Sequence, residues 1–223
     1  AWMRLGIRSE VGRGADDDNT KAGLTYNISS QPPGAYKAKN AYEEKIGQKI
    51  SWEEFAELFP DAKTVGILYC SAEPNSKYQA TEFEKALDAD NISYKEYTAA
   101  DSNDIASVVQ TAVTEVDVIY IPTDNTMAGN TETINNITLP AGIPVIAGEE
   151  GICKGCGIAT LSISYYDIGY KAGEMAYDIL VNGADITTMN IEYAPQVTKE
   201  YNASIAEQLG VTIPDGYTAI AAE

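Results

Sequence analysis

Thr64-Val-Gly-Ile-Leu-Tyr69, followed at once by Cys70-Ser-Ala-Glu-Pro-Asn-Ser76, decides the fold of this chain. A run of apolar and β-favouring residues breaks into a polar turn that carries proline, and a helix opens directly behind it. A buried parallel strand that feeds such a turn and a helix N-terminus is how α/β proteins aim backbone N–H groups at an anionic group. The stretch predicts a cradle for a small molecule.

Working outward, apolar strands begin near Thr64, Ile92, Val116 and Ile143, with an amphipathic segment between each consecutive pair. A spacing of roughly 24 to 28 residues matches successive βαβ units, whose crossover helices force parallel pairing. Ile105, Val108, Val109, Ala112, Val113 and Val116 share one face of a helix, with Asp104 and Glu115 turned away and Asp101 or Ser102 as the expected cap. Val116-Asp-Val-Ile-Tyr-Ile121 is apolar almost throughout, as a central strand covered on both faces must be, and it ends at Pro122-Thr-Asp-Asn-Thr126. Ile143-Pro-Val-Ile-Ala147 ends likewise at Gly148-Glu-Glu-Gly151. Parallel strands present their C-terminal ends on one sheet edge, so the loops 70–76, 123–126 and 148–151 are expected side by side, where ligands of open α/β sheets bind.

Beyond these units come a strand over Gly157–Ile163 and a helix from about Tyr166 to Val181. That helix carries Ile168, Ala172, Met175, Ala176, Ile179 and Leu180 on one side and stops at Asn182-Gly183. An extended segment from Asn190 and a short helix near Ala203 to Leu209 follow. The front reads differently. Residues 1–60 are expected to be irregular, with turn-rich Gly12-Arg-Gly-Ala-Asp-Asp-Asp-Asn19 and Gln31-Pro-Pro-Gly34. A short helix over 51–59, capped by Ser51 and Glu54 and stopped by Pro60, ends that region.

Composition narrows the function. The 223 residues are 44% hydrophobic, enough for a large core, and no apolar run is long enough to span a bilayer. A net charge of −18, from 33 acidic and 15 basic residues, argues against binding to nucleic acid or to an anionic membrane surface. Histidine is absent, which removes hydrolase mechanisms built on imidazole as base or ligand and leaves Cys153 and Cys156 without the partners a zinc site needs. Gly155 and Gly157 suggest a loop for that Cys-x-x-Cys, and so no thioredoxin-like site. No Gly-x-Gly-x-x-Gly follows the first strand, and there is no P-loop lysine motif, so a nucleotide enzyme is disfavoured. The adjacent Glu149 and Glu150 point in different directions from a turn and make a poor catalytic pair. No metal and no cofactor is expected.

Four segments together carry a family resemblance: Val65 to Ser76, Val118 to Thr126, Ile143 to Gly151, and Ala159-Thr-Leu-Ser-Ile-Ser-Tyr-Tyr-Asp-Ile-Gly169. In this order and spacing they resemble the substrate-binding proteins of ABC importers, in particular those of tryptophan and tyrosine uptake, on the type I periplasmic binding protein fold. The resemblance implies an α/β protein with a Rossmann-like parallel sheet, helices on both faces, and a partial second lobe. Residues 61–152 would form the ligand-binding lobe, 153–189 a strand and helix crossing to the other lobe, and 190–223 a return segment with the C-terminal helix. Before Asp61 the family has further βα units, so the chain resembles an N-terminally shortened member.

The same resemblance implies the site. Ser71, Asn75 and Ser76 would hold a ligand carboxylate at a helix N-terminus. Asp124 would meet its ammonium, with Thr123 and Asn125 orienting it. One of Glu149 and Glu150 would face the cleft, and Tyr165 would stack on a flat side chain. The implied protein is not an enzyme but the extracytoplasmic component of an ABC importer, lipid-anchored at a bacterial surface or in the periplasm. It would bind an amino acid or similar small zwitterion, with an aromatic one pointed to by the tryptophan and tyrosine subgroup, dock on a membrane permease, and neither bind nucleic acid nor insert in the bilayer. The alternatives are the sensor domain of a regulator or receptor and a shortened member that binds nothing.

Overall fold

The computed structural model describes residues 55, 57–190, 192 and 197–221. The expected irregular stretch over residues 1–50, the Ser51–Glu54 cap and part of the return segment lie outside them. Residues 55, 57 and 58 are helical, and the amide of Phe59 donates to the carbonyl of Phe55 at 2.9 Å.

One seven-stranded sheet organises the rest, in the order β2-β1-β3-β4-β5-β6-β7. Strand β1 is Thr64–Cys70, β2 Ser93–Ala99, β3 Val118–Ile121, β4 Val145–Ala147, β5 Ala159–Ile163, β6 Val197–Tyr201 and β7 Thr218–Ala219. Strands β1 to β5 pair in parallel, whereas β6 returns antiparallel to β5 with Thr160 opposite Glu200, and β7 lies parallel to β6. The central position of β1 and β3 explains their composition. Val65 to Cys70 and all of β3 are buried, so both faces of these strands must be apolar.

Helix α1, Pro74–Ala89, covers one face with Ala80, Phe83 and Leu87, which pack on Val65, Ile67, Tyr69, Val118 and Tyr120. Its start is set by Pro74 in the first turn, where proline's missing N–H costs nothing. On the other face lie α2 (Ile105–Ala112), α4 (Thr131–Ala141) and α5 (Glu150–Cys156), whose buried side chains join Leu68, Ile119, Ile121 and Val145. A smaller cluster of Ile158, Ala159, Ile205 and Ala206 seats α7, Ala203–Leu209, and the amide of Ile205 donates to the Asn202 side chain that caps it.

Three local expectations change. The amphipathic segment expected between β3 and β4 divides into a one-turn helix α3, Asn125–Ala128, and α4. The periodic stripe to Val116 outruns α2, which stops at Ala112. Val113 is its C-cap, and Val116 is buried in the same core just before β3. Neither Asp101 nor Ser102 caps α2. Asp101 instead accepts from the Asn103 amide at 2.8 Å, and Asp104 from the Ala100 amide at 3.0 Å.

The cysteines differ from expectation as well. Cys153 and Cys156 lie on α5, not in a loop. Gly155 marks close packing: a Cβ there would stand 2.2 Å from Thr131 Oγ1 at the start of α4. All three cysteines are buried and none is in a disulfide, and burial, with a smaller push from Glu149, raises Cys156 to about 12. A buried thiol of this kind is inert. In native buffer Cys70, Cys153 and Cys156 are expected to resist a thiol–disulfide reagent over the time in which guanidinium-unfolded chain releases three equivalents. Rapid stoichiometric reaction of the folded protein would contradict this placement.

Helix α6, Tyr165–Leu180, follows β5 and is capped by Ser164, whose Oγ accepts from the Asp167 amide at 3.1 Å. Ala172 and Met175 are buried, but Tyr165, Tyr166, Tyr170, Tyr177, Leu180 and Val181 are exposed, Leu180 at 82%. Leu180 therefore leaves the buried side that periodicity gave it. Tyr166 and Tyr170 stack with ring centroids 6.4 Å apart. Among the described residues no helix is long and apolar enough to cross a membrane.

Candidate functional site

At the carboxyl edge of the sheet the turns after β1, β3 and β4 meet and are bonded to one another. The first reaches the second through Asn75 and Ser76: Nδ2 of Asn75 donates to the Thr123 carbonyl at 2.9 Å, and Oγ of Ser76 donates to the same oxygen at 3.0 Å. Gln79, one turn along α1, accepts from the Thr123 amide at 3.1 Å. The second turn reaches the third through Thr123, whose Oγ1 donates to the Gly148 carbonyl at 3.2 Å. Gly148 is the only residue type that fits there, because a Cβ would lie 2.6 Å from the Thr123 nitrogen and 2.7 Å from the Pro122 carbonyl carbon. The three turns form one continuous polar ledge.

Asp124 sits beneath this ledge and is 1% exposed. Its Oδ2 accepts from the Cys70 amide at the end of β1 and its Oδ1 from the Met127 amide in α3, each at 2.8 Å. Burial, the largest influence, raises its pKa, against the lowering effect of those amides and of the Ser76 hydroxyl, and the charge of Glu73 adds to the rise. The carboxylate expected to meet a ligand therefore points inward and staples the first turn to the second.

Glu73 does the corresponding work from the other side, and no reading of the sequence singled it out. Its Oε2 accepts from the Asn125 amide at 2.9 Å and from Asn125 Nδ2 at 3.0 Å, while Oε1 accepts from the Thr126 amide and hydroxyl, both at 2.8 Å. Burial works to raise its pKa, but these four donors outweigh it and hold the carboxyl below its ordinary value. The clamp is therefore intact above the ordinary carboxylate range and is lost as pH falls through the lowered value. The available signal was that Glu73 is the sole carboxylate of residues 71–76, facing a second turn whose Asn125 and Thr126 begin a helix.

The remaining candidates spread along the same edge. Ser71 is exposed, and its Oγ donates to the Ala99 carbonyl at 3.3 Å, so it turns towards the end of β2 rather than towards the other two turns. Asn125 is exposed, and Thr123 and Asn75 are half-buried. Glu149 caps α5, accepting from the Gly151 amide at 2.9 Å and from the Ile152 amide, whereas Glu150 is exposed in the first turn of that helix. Tyr165 stands at the far end of β5 as the first residue of α6, 56% exposed. Hydroxyl, amide and carboxylate groups thus line the carboxyl edge of the sheet, with Ser71, Asn125 and Glu150 exposed there.

Comparison with known proteins gives this arrangement its context. Residues 39–223 match the family model for ABC transporter substrate binding protein. A curated protein of Clostridioides difficile (strain R20291), described as a tyrosine-binding protein, is 29% identical over 177 residues, which is 78% of this chain and 50% of that protein. Among solved structures, an ABC domain of Streptococcus pneumonia in complex with L-Trp superposes with a TM-score of 0.69 at 29% identity, covering 78% of this chain and 60% of the other. A ligand-free, open substrate binding protein with adhesive properties from Clostridium difficile gives a TM-score of 0.65 at 30% identity, covering 78% and 59%. The chain thus spans about half the length of the curated relative. More distant structures, such as a Burkholderia phytofirmans protein at 17% identity and a TM-score of 0.53, share the fold.

Proposed function

We propose that this chain, which belongs to the ABC transporter substrate-binding protein family, holds an amino acid with an aromatic side chain on the ledge formed by its three edge turns. The observation that carries the reading is the direct bonding of residues 75 and 76 to 123, and of 123 to 148, which makes one surface of three separate loops. The relatives described as binding tyrosine or L-Trp support the ligand class.

The exposed Ser71 and Asn125 and the half-buried Thr123 touch the ligand's polar end in this reading, near the N-terminus of α1, whose dipole favours a carboxylate. Glu149 and Glu150 supply the negative side for its ammonium, and Tyr165 stacks on its ring. Asn75, Ser76 and Asp124 shape the ledge from behind, with Glu73. Asp124 so becomes a support rather than the ammonium's partner.

A second lobe would close over the ligand, and the exposed aromatic and aliphatic face of α6 is the surface such a lobe would cover. Closure would favour docking on a membrane permease, with the protein anchored by lipid outside the cytoplasm. Calorimetric titration of the purified chain with L-tyrosine, L-tryptophan, L-leucine and L-alanine tests the ligand. Saturable heat with at least one aromatic member, and less with alanine, is expected. Silence across the panel would overturn the reading.

A further inference from the structure

On the flank of the sheet away from the ledge's third turn, α1 lies over β1 and β2. Val65, Ile67 and Tyr69 of β1 meet Phe83 and Leu87 of α1 in one apolar cluster. The edge strand β2 continues that layer with Tyr94 and Glu96, the register partners of Val65 and Ile67. Side chains alternate across a strand, so Glu96 stands on the face that α1 covers, where an apolar residue is the rule. From α1 come Glu84 and, one helical turn on, Asp88.

These groups are bound to one another unevenly. The Tyr69 hydroxyl donates to Glu96 Oε2 at 3.1 Å, and the Tyr94 hydroxyl reaches Asp88 Oδ2 at 3.5 Å. Glu84 Oε1 is shut off from solvent and has no hydrogen-bond partner. Facing Glu84 are Glu96 and Tyr94 from β2, Tyr69 from β1 and Asp88 from its own helix. With Glu84 itself that makes three carboxylates and two phenols, and no cation is among these described residues. Two carboxylates in contact repel when both are charged, and a single proton turns the repulsion into a charge-assisted O–H···O⁻ bond.

We propose that Glu84 and Glu96 share one proton, and that the resulting carboxyl–carboxylate bond is a pH-sensitive clasp fastening α1 to the edge strand β2. Burial first, then the bond to Glu96 and the charges of Glu96 and Asp88, raise Glu84 from 4.5 to about 7. Burial and Glu96 also raise Tyr69 to about 12, which keeps its phenol a donor to Glu96 through the neutral range. The folded chain holds the proton up to about 7 while the unfolded chain releases it near 4.5. The clasp's contribution to stability is therefore complete below the lower value and is lost as pH rises through the upper one. Because α1 also carries Asn75 and Ser76, the helix so fastened is the one that builds the first turn of the ledge.

Thermal unfolding of the whole 223-residue chain at pH 5 and pH 8 tests the clasp, comparing the natural protein with Glu84→Gln and Glu96→Gln. The net negative charge gives all of them a common downward drift, so the readout is the difference between proteins. Glu84→Gln, fixed in the neutral form, is expected to match the natural chain at pH 5 and to melt higher at pH 8, and Glu96→Gln to flatten the pH dependence likewise. The double variant should behave like either single one. A gap of equal size at both pH values would overturn the proposal. Should a variant fail to fold, carboxyl ¹³C titration of the natural protein decides the matter: a glutamate assigned to Glu84 that titrates in the neutral range supports the clasp, and one in the ordinary carboxylate range refutes it.

Discussion

Asp124→Ala is expected to lower the stability of the chain by about 3 kcal/mol, since two buried amide donors would lose their acceptor at roughly 1 to 3 kcal/mol each. The carboxylate is 1% exposed, so water cannot replace it at the Cys70 and Met127 amides without opening the turn. In a chain of this size that loss corresponds to a fall in melting temperature of roughly 6 to 12 °C. Urea titration monitored by circular dichroism measures it as a lower midpoint at unchanged slope. A loss below about 1 kcal/mol, the size of an ordinary exposed cap, would show that the staple is dispensable. Asp124→Asn keeps one acceptor and should cost less. It also separates support from contact: ligand affinity within a few-fold of the natural chain fits a buried support, whereas a loss of about a hundredfold would mean a direct charge on the ammonium.

Gly148→Ala is the second large effect. The added methyl would meet main-chain atoms of Pro122 and Thr123 at 2.6 to 3.0 Å, and backbone cannot rotate aside as a long side chain can. The third turn must then move off the second. That movement would break the bond from Thr123 Oγ1 to the Gly148 carbonyl and strain the 2.7 Å bond from the Gly148 amide to the Ile121 carbonyl. Overpacking and lost hydrogen bonds together predict a destabilisation of about 2 to 4 kcal/mol. Gly173→Ala is the control, because a Cβ at that position on α6 has nothing within 4 Å. Alanine's helix preference should leave the control unchanged or stabilise it by up to about 1 kcal/mol. Equal effects at both positions would disprove the close approach of the two turns.

The framework of the sheet was legible because burial on both faces leaves a mark on composition. Thr64 to Tyr69 and Val118 to Ile121 have no polar side to confuse the reading, and the spacing from each strand start to the next fits a helical crossover. Gathering three loops on one edge follows from parallel pairing alone. What the chain hides is where short-range geometry and long-range packing compete for the same residue. Gly155 reads as a loop signal, although its role is to let α5 approach Thr131, a contact between residues far apart in sequence. Val113 and Val116 fit a helical stripe and are drawn instead into the core that α2 shares with β3, so periodicity overran the helix.

The site shows the same division. Residue types at the ledge were readable, but whether a carboxylate turns inward depends on donors supplied by another turn. Glu73 is decided by amides about fifty residues away, Asp124 adds such an amide, that of Cys70, to its local bond with Met127, and no local pattern encodes that distance. The antiparallel return of β6 against β5 was hidden for a similar reason, since the pairing of Thr160 with Glu200 joins segments on either side of α6.

The sealed sulfurs have a practical corollary. With every natural cysteine sequestered beneath the sheet, Ser71→Cys would introduce the one side chain open to a maleimide dye, at the rim of the ledge. A fluorophore placed there would test the proposed binding of an amino acid by a ligand-dependent change in emission.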